Sequence, residues 1–341
     1  MISSNNRTKP FEQRFRNLVL LTICTIYLLI LAGGIVRGTG SGMGCPDWPK
    51  CFGRWIPPTE VSQLPPNYQQ VFGAKLKGEV EFNAVKTWIE YINRLLGAIT
   101  GFLIFATLVV SLSYWRKDRI VTVGSFLAFL LIGINGWLGS RVVASELAGY
   151  LVTAHLLLAI LVVAVLLYVL IRVSLYDASP SKAASTQTFL TRILAVAILL
   201  TVSQVILGTQ VREALNEVIR RLGYGLRNDW VGSLDWRFYV HRSYSLIVLA
   251  INVTVLYKLY KAEHTVASLR LTVVLVLTVI AEVFTGAVMA YFAVPAAAQP
   301  IHLFLAVVIV GLQFTLLLLF NPNLVKRKET IGNVHIMEIQ R

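Results

Sequence analysis

Glu90-Tyr91-Ile92-Asn93-Arg94 opens one apolar helix, and a near copy, Phe238-Tyr239-Val240-His241-Arg242, opens another 148 positions later. A second match stands at almost the same spacing. His155 in Thr153-Ala154-His155-Leu156 and His302 in Pro300-Ile301-His302-Leu303 are 147 apart, and Gly139 and Gly286 upstream of them keep that offset. Two independent anchors with one spacing read as an internal duplication. Three of the four anchor positions are histidine and the fourth is Asn93, so the halves share a frame and differ at their centres.

The 341 residues are 56% hydrophobic and 14% charged, with a mean hydropathy of +0.68. A soluble domain carries about 25% charged residues, so composition excludes that class and points to an integral membrane protein. Apolar runs long enough to cross roughly 30 Å of hydrocarbon, about 20 residues each, fall near 17 to 36, 87 to 114, 120 to 140, 148 to 171, 189 to 210, 237 to 257, 271 to 292 and 297 to 320. The expected fold class is all-α with eight transmembrane helices. Four spans per half give both halves the same orientation, hence two four-helix bundles related by a pseudo-twofold axis along the membrane normal. The first bundle takes residues 1–175 and the second 176–341.

Lys and Arg collect in both tails and in the connections after the second, fourth and sixth spans, including Arg14/Arg16, Arg116 to Arg119 and Lys326 to Lys328. That asymmetry puts both termini in the cytoplasm and these clusters against anionic headgroups. As a topology signal it accounts for the basic surplus and leaves no nucleic-acid footprint. The first apolar run is too long for a signal-peptide core and no A-x-A cleavage site follows, so it is read as retained. A multi-pass protein of a bacterial inner membrane is expected.

On the outer side, Gly38-Thr-Gly-Ser-Gly-Met-Gly44 lacks the Gly-Lys-Ser/Thr ending and the preceding strand of a nucleotide loop. Cys45-Pro-Asp-Trp-Pro-Lys-Cys51 follows it, where thiols can oxidise, and a small disulfide loop is favoured over free thiols. Cys24, inside the first span, reads as a buried small residue. The connection from Gly38 to about Lys86 is long and rich in proline and aromatics, which suits a cap over the outer mouth. In the second half Val211, Leu215, Val218, Ile219 and Leu222 form an amphipathic stripe. A helix lying in the membrane surface fits it, and a helix packed on a cap needs the same pattern.

Asn93, His155, His241 and His302 lie five to seven residues inside the outer ends of their spans, at a shared depth of roughly 8 to 10 Å at 1.5 Å per residue. One intramembrane histidine is ordinarily a hydrogen-bonded helix contact. Imidazoles at equal depth on the second and fourth helices of a bundle, however, can face each other. With no nearby Cys or carboxylate cluster such a pair suits haem iron better than zinc. Arg37, Arg94, Arg141, Arg212 and Arg242 are the cations available near the outer surface for haem propionates. In the first half Asn93 replaces one imidazole, so iron there would be held by His155 alone, and Glu90 lies one turn outward on the same helix face. Acid and vacancy fall in one half, which is where chemistry is expected. The alternative for Glu90 is an i, i+4 salt bridge with Arg94. Asn135, Gln204 and Glu282, each four residues before a glycine, read as interhelical hydrogen-bonding groups.

Taken together, Gly33-Gly34-Ile35-Val36-Arg37-Gly-Thr-Gly-Ser-Gly, Cys45-Pro-Asp-Trp-Pro-Lys-Cys51, Glu90-Tyr-Ile-x-Arg94 and the three histidines resemble the haem A synthase family, over nearly all eight spans. The resemblance implies an oxidoreductase of cytochrome oxidase biogenesis that converts haem O to haem A by oxidising a ring methyl to a formyl group. It further implies that His241 and His302 ligate haem b, that Glu90 is the catalytic carboxylate and that His155 faces the substrate haem iron, with Asn93 lining that site. The cysteine loop would be an outer disulfide, Cys45 to Cys51. Haem O synthase and oxidase assembly factors would be the proteins it meets in the bilayer. The sequence departs from the family pattern at Asn93, where histidine is commoner, and in lacking a second outer cysteine pair. A non-catalytic, cytochrome b-like electron-transfer protein is the alternative, and a parallel-repeat transporter ranks below it.

Overall fold

The structure is a computed structural model and describes residues 10–72, 82–174, 185–262, 265–321 and 324–325. Eight helices in it are long and apolar enough to cross a membrane. They are α1 (Pro10–Gly38), α3 (Ala84–Ser111), α4 (Arg119–Ala144), α5 (Gly149–Ser174), α6 (Ser185–Leu222), α7 (Trp236–Lys261), α8 (Val266–Tyr291) and α9 (Ala298–Phe320), with a short outer helix α2 (Tyr68–Phe72). In hydrocarbon every backbone amide must be satisfied within its own segment, which leaves helices as the economical solution for these Leu-, Val- and Ile-rich runs. Hydroxyls within them bond back to their own helix, as Thr22 does to the Leu18 carbonyl and Thr201 to that of Ala197. Polar caps start several helices: Asn83 accepts from the Lys86 amide, Asp118 from Ile120 and Asp235 from Arg237.

The two halves pack by the same scheme. In the first, α1 packs on α3, α3 on α4, α4 on α5 and α5 back on α1; in the second, α6 on α7, α7 on α8, α8 on α9 and α9 back on α6. The halves meet through α1, α5, α6 and α9, where the Thr153 hydroxyl donates to that of Thr209 at 2.8 Å. The backbone repeats as well. Glu146 and Leu147, after α4, take the left-handed conformation, and so do Ala293 and Val294, 147 positions on, after α8. The Leu147 amide bonds the Val142 carbonyl at 2.8 Å, and the Val294 amide bonds that of Met289 at 3.0 Å. Two successive non-glycine residues at positive φ are costly, so their recurrence at one offset reflects a shared turn that reverses the chain sharply between the third and fourth spans of each half.

Three expectations change. The amphipathic stripe after the fifth span is no separate surface helix, because α6 runs unbroken to Leu222, where Gly223 at φ 70° ends it. At 1.5 Å per residue α6 is about 57 Å long, nearly twice the hydrocarbon thickness of roughly 30 Å. Its outer turns therefore stand clear of the membrane. There Ala214, Leu215 and Val218 pack against Trp230, Leu234 and Val294 to close the second half. Cys24 is exposed rather than buried, since an apolar side chain on the lipid side of a spanning helix loses nothing there. Several spans also extend beyond the apolar runs, most of all α6 (Ser185–Leu222, against the run at 189 to 210) and then α1, whose first turn carries Glu12. The chain positions chosen as a bundle boundary, the cluster Lys326 to Lys328 and part of the first outer connection lie outside the described residues.

The first outer connection is a cap. A Cys45–Cys51 disulfide closes its loop, and both cysteines are buried with Phe52, Leu64 and Tyr68. Asp47 accepts from the Phe52 and Gly53 amides at 2.6 and 2.8 Å. On the opposite side of the bundle Arg172 is locked by Asp118 at 2.7 and 3.1 Å and donates to the Val325 carbonyl at 2.5 Å. This ties α5, the α4 cap and the segment after α9 together.

Candidate functional site

Asn93, His155, His241 and His302 lie on α3, α5, α7 and α9, and each faces a glycine on the preceding spanning helix. A methyl group placed on Gly139 would meet His155 Cε1 at 3.1 Å, one on Gly208 would meet His241 Cε1 at 3.1 Å, and one on Gly286 would meet His302 Cε1 at 3.3 Å. At Gly33 it would lie 3.8 Å from Asn93 Oδ1. The glycines therefore do more than let helices approach: they leave the room that the imidazole edges occupy. This fourfold recurrence was visible in the sequence only as glycines at similar depth, because nothing in the chain order says which face of a helix a glycine presents.

In the second half the rings of His241 and His302 stand with centroids 6.2 Å apart and planes at 73°. A metal about 2 Å from each ring nitrogen lies about 3 Å from each centroid, so two imidazoles sharing one iron would stand about 6 Å apart. The spacing fits. His302 Nδ1 is within 3.0 Å of the Thr285 hydroxyl and 3.2 Å of the Glu282 carbonyl. The Thr285 hydroxyl itself donates to the Glu282 carbonyl, so both oxygens can accept from Nδ1–H, which leaves Nε2 unprotonated with its lone pair free to bind a metal. Gln204 donates to the His241 carbonyl at 2.8 Å, an interhelical bond of the expected kind. Among the described residues no group of three His, Cys, Asp or Glu side chains could hold a metal ion. Two nitrogens alone suit an iron whose remaining ligands come from its own macrocycle.

The first half has one imidazole. His155 Nδ1 and Asn93 Oδ1 are buried there without a hydrogen-bond partner, as is Asn135 Oδ1. Asn135 thus makes no interhelical bond through its oxygen. Buried unpartnered polar atoms are costly, and these suit a site completed by a ligand, as do His241 Nδ1, Gln204 Oε1 and Glu282 Oε2 in the second half. Glu90 is almost fully enclosed: one oxygen accepts the Cys45 amide at 2.8 Å and the other pairs with Arg94. Arg94 also donates to the Asp47, Lys50 and Cys45 carbonyls at 2.7, 3.0 and 3.0 Å. The salt bridge weighed as an alternative for Glu90 is therefore present, and its larger effect is to fasten the disulfide loop to α3.

Of the arginines near the outer surface, Arg37 and Arg212 come together between the halves. Arg212 donates to Gln299 at 2.6 Å and to the Arg37 carbonyl at 3.4 Å, and Arg37 lies 3.7 Å from Glu213. Both Nε atoms are buried without a partner, so both guanidiniums retain capacity for an acidic ligand. Arg242 lies over the Phe238 and Tyr239 rings, and both it and Arg141 are exposed. The arrangement offers a facing pair of imidazoles in one half, a single imidazole and a buried carboxylate in the other, and two cations between the halves.

Comparison with known proteins bears on the same residues. A family model described as COX15-CtaA, cytochrome oxidase assembly protein, matches residues 16–314. Proteins named heme A synthase are among the relatives. That of Nitrosomonas eutropha is 32% identical over 157 residues, 41% of this chain and 43% of the relative. That of Bartonella bacilliformis is 30% identical over 200 residues, 52% and 54% of the two chains. That of Rickettsia prowazekii is 23% identical over 329 residues, 86% and 94% of the two chains. For most such relatives the match spans about half of their length or less. With the family model covering most of its length, the chain belongs to the COX15-CtaA family of cytochrome oxidase assembly proteins.

Proposed function

We propose that this protein is a haem A synthase, oxidising a ring methyl of substrate haem O to a formyl group in the first half while the second half holds a haem b. The observation that carries the reading is the inequality of the halves: two imidazoles 6.2 Å apart in one, and in the other a single imidazole, with an unpartnered amide oxygen at the chain position that matches the second one. The halves act as separate four-helix units, 1–175 and 176–341, related by a pseudo-twofold axis along the membrane normal. Their common packing scheme and the repeated turn after α4 and α8 support this. Both termini lie in the cytoplasm of a bacterial inner membrane and the disulfide loop lies outside.

His241 and His302 would hold the haem b, which would supply one-electron redox chemistry there. Thr285 and the Glu282 carbonyl bond His302 Nδ1 and so would leave Nε2 to hold the group. Arg37 and Arg212 neutralise propionates, and the exposed Arg242 stands at the same level. His155 faces the substrate iron, with Asn93 opposite it as a neutral, non-displacing neighbour. Glu90 is the carboxylate of the reaction, and Arg94 with the Cys45 amide keeps it oriented under the cap. Haem O synthase and oxidase assembly factors are its partners.

The test is co-expression with a haem O synthase, followed by purification and pigment extraction. Formylated haem from the unaltered protein, its loss in Glu90→Ala and loss of the low-spin spectrum in His241→Ala are expected. A protein that keeps haem b and never yields the formyl product would be the cytochrome b-like alternative. A pigment-free protein would end both readings.

A further inference from the structure

We infer that Glu282 is a positioning residue that sets the electron affinity of the second-half iron through His302, an asymmetry between the two axial imidazoles that the first half does not share. The inference rests on His241 and His302 being the axial ligands, and it concerns what lies behind one of them. Glu282 Oε1 stands 3.2 Å from His302 Nδ1, and the Glu282 side chain is only 16% exposed. Among the described residues His302 is its one ion-pair partner, and its Oε2 is buried with no hydrogen bond at all. A carboxyl group inside a spanning helix is expensive. One with an unpartnered oxygen gives little structural return for that cost. Its placement makes sense beside a metal-bound imidazole, where a carboxylate against the distal N–H raises the ligand's basicity.

The repeat supplies the contrast. Glu282 lies four residues before Gly286 and twenty before His302, and Asn135 lies four before Gly139 and twenty before His155. The frame is thus conserved between the halves while the acid is present in only one of them. Gln204, four residues before Gly208, bonds the main chain of His241 and leaves His241 Nδ1 unpartnered. Of the three imidazoles only His302 therefore has a carboxylate behind it. Its Nδ1 bonds the Thr285 hydroxyl and the Glu282 carbonyl, and Glu282 Oε1 stands 3.2 Å from the same nitrogen. Electron density pushed through His302 favours the ferric state, so the second-half iron is held as the stronger reductant.

Potentiometric titration of the low-spin haem in the purified full-length protein, read together with its low-temperature EPR g-values, tests this. In Glu282→Gln the ferric-to-ferrous equilibrium should shift at least tenfold toward ferrous, about 59 mV for one electron, with altered g-values. Thr285→Val, which removes a neutral partner, should move the potential much less. A residue that merely packed α8 on α9 would change haem content and leave both readings in place, and an unmoved potential with unmoved g-values in Glu282→Gln overturns the inference. Should Glu282→Gln fail to retain haem, Glu282→Asp, which draws the carboxylate back by one methylene, must show a smaller shift in the same direction. An unshifted Glu282→Asp then overturns it. A low-spin haem that persists in His241→Ala would instead refute the ligand assignment beneath.

Discussion

The glycines facing the central side chains give the sharpest quantitative expectation. Gly208→Ala puts a methyl group 3.1 Å from the His241 ring and Gly286→Ala puts one 3.3 Å from the His302 ring, whereas Gly33→Ala brings it only to 3.8 Å from Asn93. The first two are a few tenths of an ångström inside ordinary contact, and the third is ordinary contact. Overpacking of this kind costs about 1–3 kcal/mol, which at 1.4 kcal/mol per decade is roughly 5- to 150-fold in the affinity of a ligand that needs the ring in place. Helix propensity acts oppositely, since alanine is about 1 kcal/mol better than glycine inside a helix. Any loss must therefore come from the ring contact and not from the backbone. Haem content per chain and the low-spin optical band, measured across the three variants, should fall most in Gly208→Ala, less in Gly286→Ala and little in Gly33→Ala. Full haem retention in Gly208→Ala, or a loss as large in Gly33→Ala, would refute the reasoning.

Arg94→Ala deletes the donor to three loop carbonyls and the partner of Glu90, and hydrogen bonds from a charged donor are worth about 1.5–3 kcal/mol each. Hydrogen exchange in residues 45 to 54 should rise while the α7 and α9 amides stay protected. Arg172→Met leaves Asp118 buried and unpaired; a broken buried pair costs about 3–5 kcal/mol, and thermal unfolding in detergent should fall accordingly. The double variant Asp118→Leu with Arg172→Met should recover part of that loss. Asn93→His restores an imidazole opposite His155 and should add a second low-spin haem signal per chain when substrate haem is supplied, at the expense of product formation.

Much of the fold was legible because a bilayer enforces it. Runs such as Leu156 to Ile171 can satisfy their backbone in hydrocarbon only as helix, so number, order and approximate ends follow from composition. The repeat was legible too, since His155 and His302 are distinctive residues at a fixed offset. Chain order could not say where an amphipathic stripe goes once it leaves the membrane. Val211 to Leu222 suits a lipid surface or a protein surface equally, and only Trp230, Leu234 and Val294 packing on it decide for the latter. Nor could it give azimuth. That Gly139, Gly208 and Gly286 face imidazoles, that Arg94 spends its guanidinium on the loop and that Glu282 stands behind His302 depend on rotation of each helix about its own axis. Packing against neighbours fixes that rotation, and those neighbours are distant in the chain, 49 residues for Arg94 and Cys45 and 175 for Arg212 and Arg37. The sequence by itself determined which residues lie at each depth in the membrane, because depth is counted along one helix. Which of them meet was decided by tertiary structure alone, because contact across a bundle is set by the combined packing of several helices.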